Sequence, residues 1–315
     1  LSRGLGDVYK RQADKYRADA EGGRTMHPTA LFITSQPYIE SICQTRYQYL
    51  IPKEICQLDG IIMRYFQFYR TDNINFYQFP DCCPSILFFY DSTHLIDVKF
   101  KGANTYLKEG PPPNVPIIFG IDLFPGTMTA LTHICAKKIN DQEVEIPDSN
   151  TAKLMQPFIE KMRYALTFEE RVATSQHFID SWRAWLNDTL NPLRPLFTFD
   201  RALRVTELAK QNGYSDRQLL RLFNRYVGRS PKRTQETLQF RDSFQAMLDD
   251  PHHSLTELAW DYHYYDLSHM TRAYEKLSGF TPHALLTLIL TSSTSQTIKP
   301  VSYTHLRAHE TGRNL

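Results

Sequence analysis

Arg217, Gln218 and Arg221 stand close together in the stretch Asp216-Arg-Gln-Leu-Leu-Arg-Leu-Phe-Asn-Arg-Tyr226. A guanidinium can donate two hydrogen bonds to a guanine edge, and a glutamine amide can pair in the same way with adenine. The chemistry on offer is therefore recognition of base edges, with no bond made or broken. Ser215, Arg225, Arg229, Lys232 and Arg233 flank the trio and suit phosphate contact. Residues 201–241 carry ten Lys or Arg against three Asp or Glu, a balance of +7. Residues 242–285 carry two against seven, a balance of −5. The first stretch has the cationic surface that a nucleic-acid backbone needs, and the second does not.

Other chemistry is harder to build. Cys82 and Cys83 fall in the turn-like Pro80-Asp-Cys-Cys-Pro84. Adjacent cysteines are poorly placed to share one zinc ion, and no Cys-x-x-Cys partner is near. They read as one buried and one turn cysteine, with a reactive-thiol sensor or a methyl-accepting thiol as competing readings. His252 and His253 precede a helix cap and read as solvated. His305 and His309 have helical spacing but no supporting context for a metal. There is no phosphate loop, no Ser-His-Asp arrangement and no supported carboxylate pair. No catalytic residue, metal or cofactor is expected, and the chain does not read as an enzyme.

The elements that must position the arginines are written twice. Val205-Thr-Glu-Leu-Ala-Lys-Gln, Asn-Gly-Tyr-Ser and the stretch from Asp216 close on Gly228-Arg-Ser-Pro231. Leu255-Thr-Glu-Leu-Ala-Trp-Asp, Tyr-His-Tyr-Tyr and the stretch from Asp266 close on Gly279-Phe-Thr-Pro282. Each copy predicts a short helix, a tight turn and a second helix, the outline of a helix-turn-helix. Ser215 is placed to cap the first reader, with Gly213 making its turn. Leu219, Leu222 and Phe223 recur at helical spacing and should face inward. Ser230 and Pro231 should open a connecting helix that runs to about Leu248. Some 18 residues at about 1.5 Å each span about 27 Å, near the ~34 Å between successive major-groove entries on one DNA face. Ser254 should cap the next helix, with Glu257 completing a capping box. The last reader, from about 266 to 277, should expose Ser268, His269, Thr271 and Arg272, and Trp260, Tyr264, Met270 and Tyr274 should pack inside.

These residues resemble the AraC/XylS family of bacterial transcription regulators. Gly-Tyr-Ser before the first reader, Tyr-Tyr-Asp-Leu-Ser-His before the second and Gly-Phe-Thr-Pro282 carry the resemblance over about 200–290. It implies base-contacting roles for Arg217, Leu220 and Arg221, then for Leu267, Ser268, Thr271 and Arg272. His263 departs from the pattern, standing where the second turn usually has glycine. Leu220 and Leu267 depart too, being apolar where polar readers are common. The resemblance implies double-stranded DNA as partner, and admits a small-molecule effector, a homodimeric partner and RNA polymerase, the last meeting the acidic second motif.

Upstream the composition changes. Residues 26–60 read as irregular. Ile61–Arg70, Phe76–Phe79, Ser85–Tyr90, Leu95–Lys101 and Val115–Phe124 are aromatic or β-branched runs between Pro- and Gly-bearing turns, which predicts a sheet or barrel. Leu154, Phe158, Ile159, Met162, Ala165 and Leu166 have helical spacing, and a further helix should cover about 168–188. Asn191-Pro-Leu-Arg-Pro195 should break that run. Phe79-Pro-Asp-Cys and Phe119-Gly-Ile-Asp-Leu-Phe-Pro-Gly126 resemble an uncharacterised domain that precedes the DNA-binding region in some AraC-like proteins. The resemblance implies a cupin-like β fold for sensing or dimerisation.

The expected fold is α+β: a β-rich sensor or dimerisation domain at 26–150, a helical segment and linker at 151–195, and an all-α tandem helix-turn-helix at 196–290. Residues 1–12 and 301–315 resemble translated sequencing-adapter DNA and are set apart from the fold, with Met26 the expected start. No run of about 18 apolar residues calls for a membrane helix. No secretory leader follows Met26, and five cysteines without framework spacing suit a reducing cytosol, so a cytoplasmic place is expected. The expected function is sequence-specific DNA-binding regulation of transcription. The competing expectation is a DNA-localised enzyme or repair protein using a reactive cysteine.

Overall fold

The computed structural model describes residues 47–50, 61–70, 76–110, 114–146, 149–190, 192–193 and 203–293. The segments 1–12 and 301–315, Met26, Cys43, Cys56, Arg201, His305, His309 and the 191–195 linker except 192–193 lie outside them.

Strands come first. β1 (Tyr47–Leu50), β2 (Ile62–Tyr69), β7 (Ile117–Leu123), β4 (Ser85–Tyr90), β5 (Leu95–Lys101) and β8 (Glu143–Val144) lie side by side in that order, each pair antiparallel. β3 (Phe76–Gln78) and β6 (Lys108–Gly110) form a separate two-stranded ladder. The described strands thus make an open sheet and a hairpin-like ribbon. β4 and β7 are buried at every position. Their mostly apolar text, interrupted at Ser85 and Asp122, suits this central place, where both faces are covered. β1 corrects the irregular reading of 26–60, since Tyr47–Leu50 pairs with Tyr65–Phe68 of β2. The pairing partner, not the local text, decides that strand.

One sheet face receives helices. Helix α1 (Thr127–Thr132), not foreseen inside the strand-rich half, follows β7 directly. α2 (Ser149–Met162) and α3 (Phe168–Leu190) come next. Phe158 of α2 meets Phe88 edge-on, and Phe168 of α3 meets Phe119. Arg171 is buried over the Tyr90 ring, 3.8 Å from its centroid, and donates to Gln67 and to the Ala165 carbonyl. Phe158, Met162 and Ala165 are buried as the spacing predicts, but Leu166 is 58% exposed. It lies past the end of α2, where helical periodicity no longer sets its direction. Across β2, β7 and β4, Arg64 donates to Asp122 at 2.8 and 3.0 Å and Ser85 donates to the other carboxylate oxygen at 2.6 Å. This pair is buried and fully hydrogen-bonded, the condition under which an interior ion pair is tolerated.

The rest is helical: α4 (Val205–Gln211), α5 (Asp216–Tyr226), α6 (Pro231–Asp249), α7 (Leu255–Asp261), α8 (Leu267–Ser278) and α9 (Pro282–Ser293). Besides a small cluster of Phe68, Leu87, Phe89 and Ile118 on the sheet, two larger hydrophobic cores run through the described residues. One joins the sheet, α2 and α3 to Leu208, Leu219, Phe223 and Val227 of the first motif. The other joins Phe79 to Phe240, Phe244, Met270 and Tyr274 around the second. No helix among the described residues is long and apolar enough to cross a membrane.

Candidate nucleic-acid interface

The first reader, α5, forms because its ends are chemically closed. Ser215 caps it, accepting from the Gln218 amide at 3.3 Å, while the Gln218 carbonyl oxygen accepts from the Ser215 N–H at 2.8 Å and its hydroxyl at 2.9 Å. This reciprocal box satisfies helix-end donors. It also occupies the side-chain oxygen that Gln218 would need for two-point pairing with adenine, and both roles of the Ser215 hydroxyl. Gly213 makes the turn at φ 70 with open space around its missing Cβ. Leu219 and Phe223 face the core, with Leu222 half-buried against it. Arg217, Gln218, Leu220, Arg221 and Arg225 are all exposed, Leu220 at 42%. The inner face is thus apolar and the outer face basic.

The far end of α5 is held by the β-rich half. Asn140 donates to the Val227 carbonyl at 2.8 Å, Thr129 to Arg225 at 3.3 Å and the Cys135 thiol to Asn224 at 3.3 Å. Gly228, at φ 76, sits so near this clamp that a Cβ would come within 2.4 Å of Asn140 Nδ2 and 2.7 Å of the Lys137 amide nitrogen. Only glycine meets both demands.

Helix α6 opens as the sequence predicts, with Ser230 capping and Pro231 in its first turn. Its charges are partly committed. Arg229 is half-buried and donates to Thr237 Oγ1 at 2.5 Å. Arg233 is exposed, with Glu236 3.6 Å away, and Lys232 is exposed. Glu236 also accepts from Lys276 of α8 at 2.8 Å, which neutralises that lysine.

The second motif repeats the first with differences. Ser254 caps α7 at 3.5 Å from the Glu257 amide, but the reciprocal bond expected of Glu257 is not formed; at the start of α4 the Glu207 carboxylate does accept from the Arg204 backbone N–H, at 2.9 Å. His263 occupies the left-handed turn position at φ 61, where the first motif has Gly213. Tyr265 is an additional residue before the cap Asp266 and is 87% exposed. Tyr264, Met270 and Tyr274 are buried, with both phenols on the Ser243 hydroxyl at 3.3 and 2.9 Å; burial pushes both phenols' pKa upward. Trp260, expected inside, is 70% exposed. Its neighbours Leu258 and Ala259 take the buried positions of the short α7, which leaves the indole on the outer face. Ser268 and Arg272 are exposed, Leu267 and Thr271 half-buried. His253 is not solvated as expected: half-buried, it lies 3.8 Å from Asp250 and 3.6 Å from Asp261.

The cysteine chemistry finds no support. Cys82 and Cys83 are both buried. Burial, together with the carboxylates Asp81 and Asp122, raises the Cys83 thiol well above its usual range. A reactive thiol needs the opposite surroundings. Asp81 is itself raised to about 6, by burial first of all. Signals for Arg204 and His263 lay in the sequence, as a counted cation and as a departure from the turn pattern; His269 was foreseen as exposed but is half-buried.

Residues 208–287 match the family described as "Helix-turn-helix domain". No curated protein matches the sequence. Similar solved structures include ToxT from Vibrio cholerae in an apo variant form, with 9% identity and a TM-score of 0.38 over 71% of this chain and 97% of that one. A second ToxT structure gives 11% identity and a TM-score of 0.37 over 78% and 98%.

Proposed function

We propose, from the premise that residues 208–287 are an AraC-type helix-turn-helix domain, that the chain is a sequence-specific DNA-binding regulator of transcription. The observation that carries this is the tandem itself. Two capped reader helices, α5 and α8, are joined by the 19-residue α6, and the first presents a basic outer face above an apolar inner one. In this reading Arg217 and Arg221 read bases, Leu220 contacts them apolarly, and Leu267, Ser268, Thr271 and Arg272 serve the second groove segment. Arg225, Lys232 and Arg233 meet phosphates, with Ser215 and Arg229 adding less because their polar groups are already engaged.

The residues from 26 to 150 act as the sensor or dimerisation unit, 151–195 as the helical connection and 196–290 as the DNA-binding unit. What supports a regulatory role is that the β-rich half touches both motifs: Asn140 and Thr129 hold α5, and Leu107 donates to the Leu277 carbonyl of α8 while Phe79 packs on the connecting α6. A signal received by the sheet can thereby reach both readers. A small-molecule effector, self-association and contact with RNA polymerase belong to this same reading, as does a cytoplasmic place. The test is selection of bound fragments from a pool of random duplexes. Enrichment of a motif with two half-sites about one helical turn apart is expected; recovery of unselected sequence would overturn the reading.

A further inference from the structure

We propose that the cleft between the two helix-turn-helix motifs seats a backbone phosphate of the bound duplex, an inference that rests on the DNA-binding reading above. The cleft has a volume of about 420 Å³, and its lining includes Arg204, Lys232, Gln235, Gln239, His263 and His269. All six carry N–H donors, Arg204 and Lys232 as fixed cations, and no carboxylate is among the lining residues. The walls come from three places: the entry to α4, the first turns of α6, and the turn and first helical turn of the second motif.

The cleft is held open by its own amides. Gln235 donates to the Leu203 carbonyl at 2.9 Å, and Gln239 donates to the Tyr262 carbonyl at 2.7 Å. One helix thus fixes both walls. His269 Nδ1 accepts from the Tyr265 amide at 3.1 Å. The neutral ring therefore carries its proton on Nε2, which is left as a donor.

His263 supplies an independent observation. Its φ of 61 is a left-handed conformation that glycine adopts without steric cost and a residue with a Cβ adopts only at some cost, and the equivalent Gly213 has φ 70. A histidine here strains the turn. Such strain gathers where a side chain is wanted for a task. The imidazole lines the cleft, so the task is anion binding. The second motif, acidic overall, thereby contributes two imidazoles where the two motifs face each other, and one phosphate lies between the two groove entries.

The test compares the full chain with His263→Gly and Arg204→Gln, using a specific and a random duplex across salt, with melting temperatures measured alongside. His263→Gly is expected to melt no lower than the parent, because the strain is gone, and yet to bind both duplexes more weakly. Arg204→Gln should flatten the slope of log K against log salt by about 0.9, the value for one phosphate on B-DNA. Losses of equal factor on both duplexes are expected, since phosphate carries no sequence. Unchanged slopes in both variants would overturn the proposal. So would a melting shift with inorganic pyrophosphate that Arg204→Gln abolishes while DNA binding stays intact, because the cleft would then serve a free anion. A parent that binds neither duplex would overturn the DNA-binding reading itself, a result distinct from intact binding that ignores the cleft.

Discussion

Phe79 stacks on Phe244 with ring centroids 5.2 Å apart and planes 14° from parallel, which places a residue of the β-rich half inside the core of the second helix-turn-helix. Phe240 lies on the same ring, and nearby Leu107 donates its backbone N–H to the Leu277 carbonyl at 2.7 Å. The two halves therefore share apolar interior. Truncating Phe79 to alanine should cost about 3–5 kcal/mol, the usual result of emptying an aromatic site. Denaturant unfolding measures this; a loss below about 1 kcal/mol would show that the site collapses around the gap.

Arg221→Ala should weaken binding to the selected sequence by about 1–3 kcal/mol and relax the preference at one base pair. Its guanidinium is exposed on the outer face of α5. Competition binding with a panel of single-base variants decides the point. Retained selectivity would remove Arg221 from base reading.

Removing Arg225 and Arg233 together should flatten the salt slope by up to about 1.8, two phosphates at about 0.9 each. Lys276→Gln should change it little, because Glu236 already neutralises that ammonium at 2.8 Å. Equal flattening from both changes would show that the second motif grips the backbone as strongly as the first.

Gly213→Ala should destabilise by about 1–2 kcal/mol, the cost of a left-handed conformation for an L-residue. Nothing lies within 4 Å of the added Cβ, so the backbone carries the whole effect. Thermal unfolding reads it. An unchanged midpoint would mean that the turn relaxes to another conformation.

Asp81 couples this region to pH. Its folded pKa, about 6, lies above the ordinary 3.8, so the folded state holds the proton more tightly than the unfolded one. The stability it contributes is full below about pH 4 and is lost as pH rises through about 6. Two pKa units correspond to roughly 3 kcal/mol. Asp81→Asn stays neutral and its oxygen can still accept from the Cys83 and Asn104 amides. Its stability relative to the parent should therefore grow between pH 4 and pH 7 by about that amount. A difference independent of pH would place the ionised carboxylate comfortably in the fold.

The sequence alone determined what is local. Caps at Ser215 and Ser230, the glycine turn at Gly213, the inward Leu219 and Phe223 and the basic outer stripe of α5 follow from neighbours within a few positions, where helix period and end chemistry act. The strand runs of β2, β4, β5 and β7 were legible for the same reason. Tertiary structure alone decided which surfaces are covered and which side chains are already engaged. Trp260 looks like a core residue until Leu258 and Ala259 take the buried side of α7. Gln218 reads as an outward polar side chain, and only the structure shows its oxygen closing the cap. Tyr47–Leu50 becomes a strand because β2 lies beside it, and Phe79 becomes part of a helical core because α6 arrives across the fold. Burial and hydrogen-bond saturation depend on partners distant in the chain, and no periodicity records them.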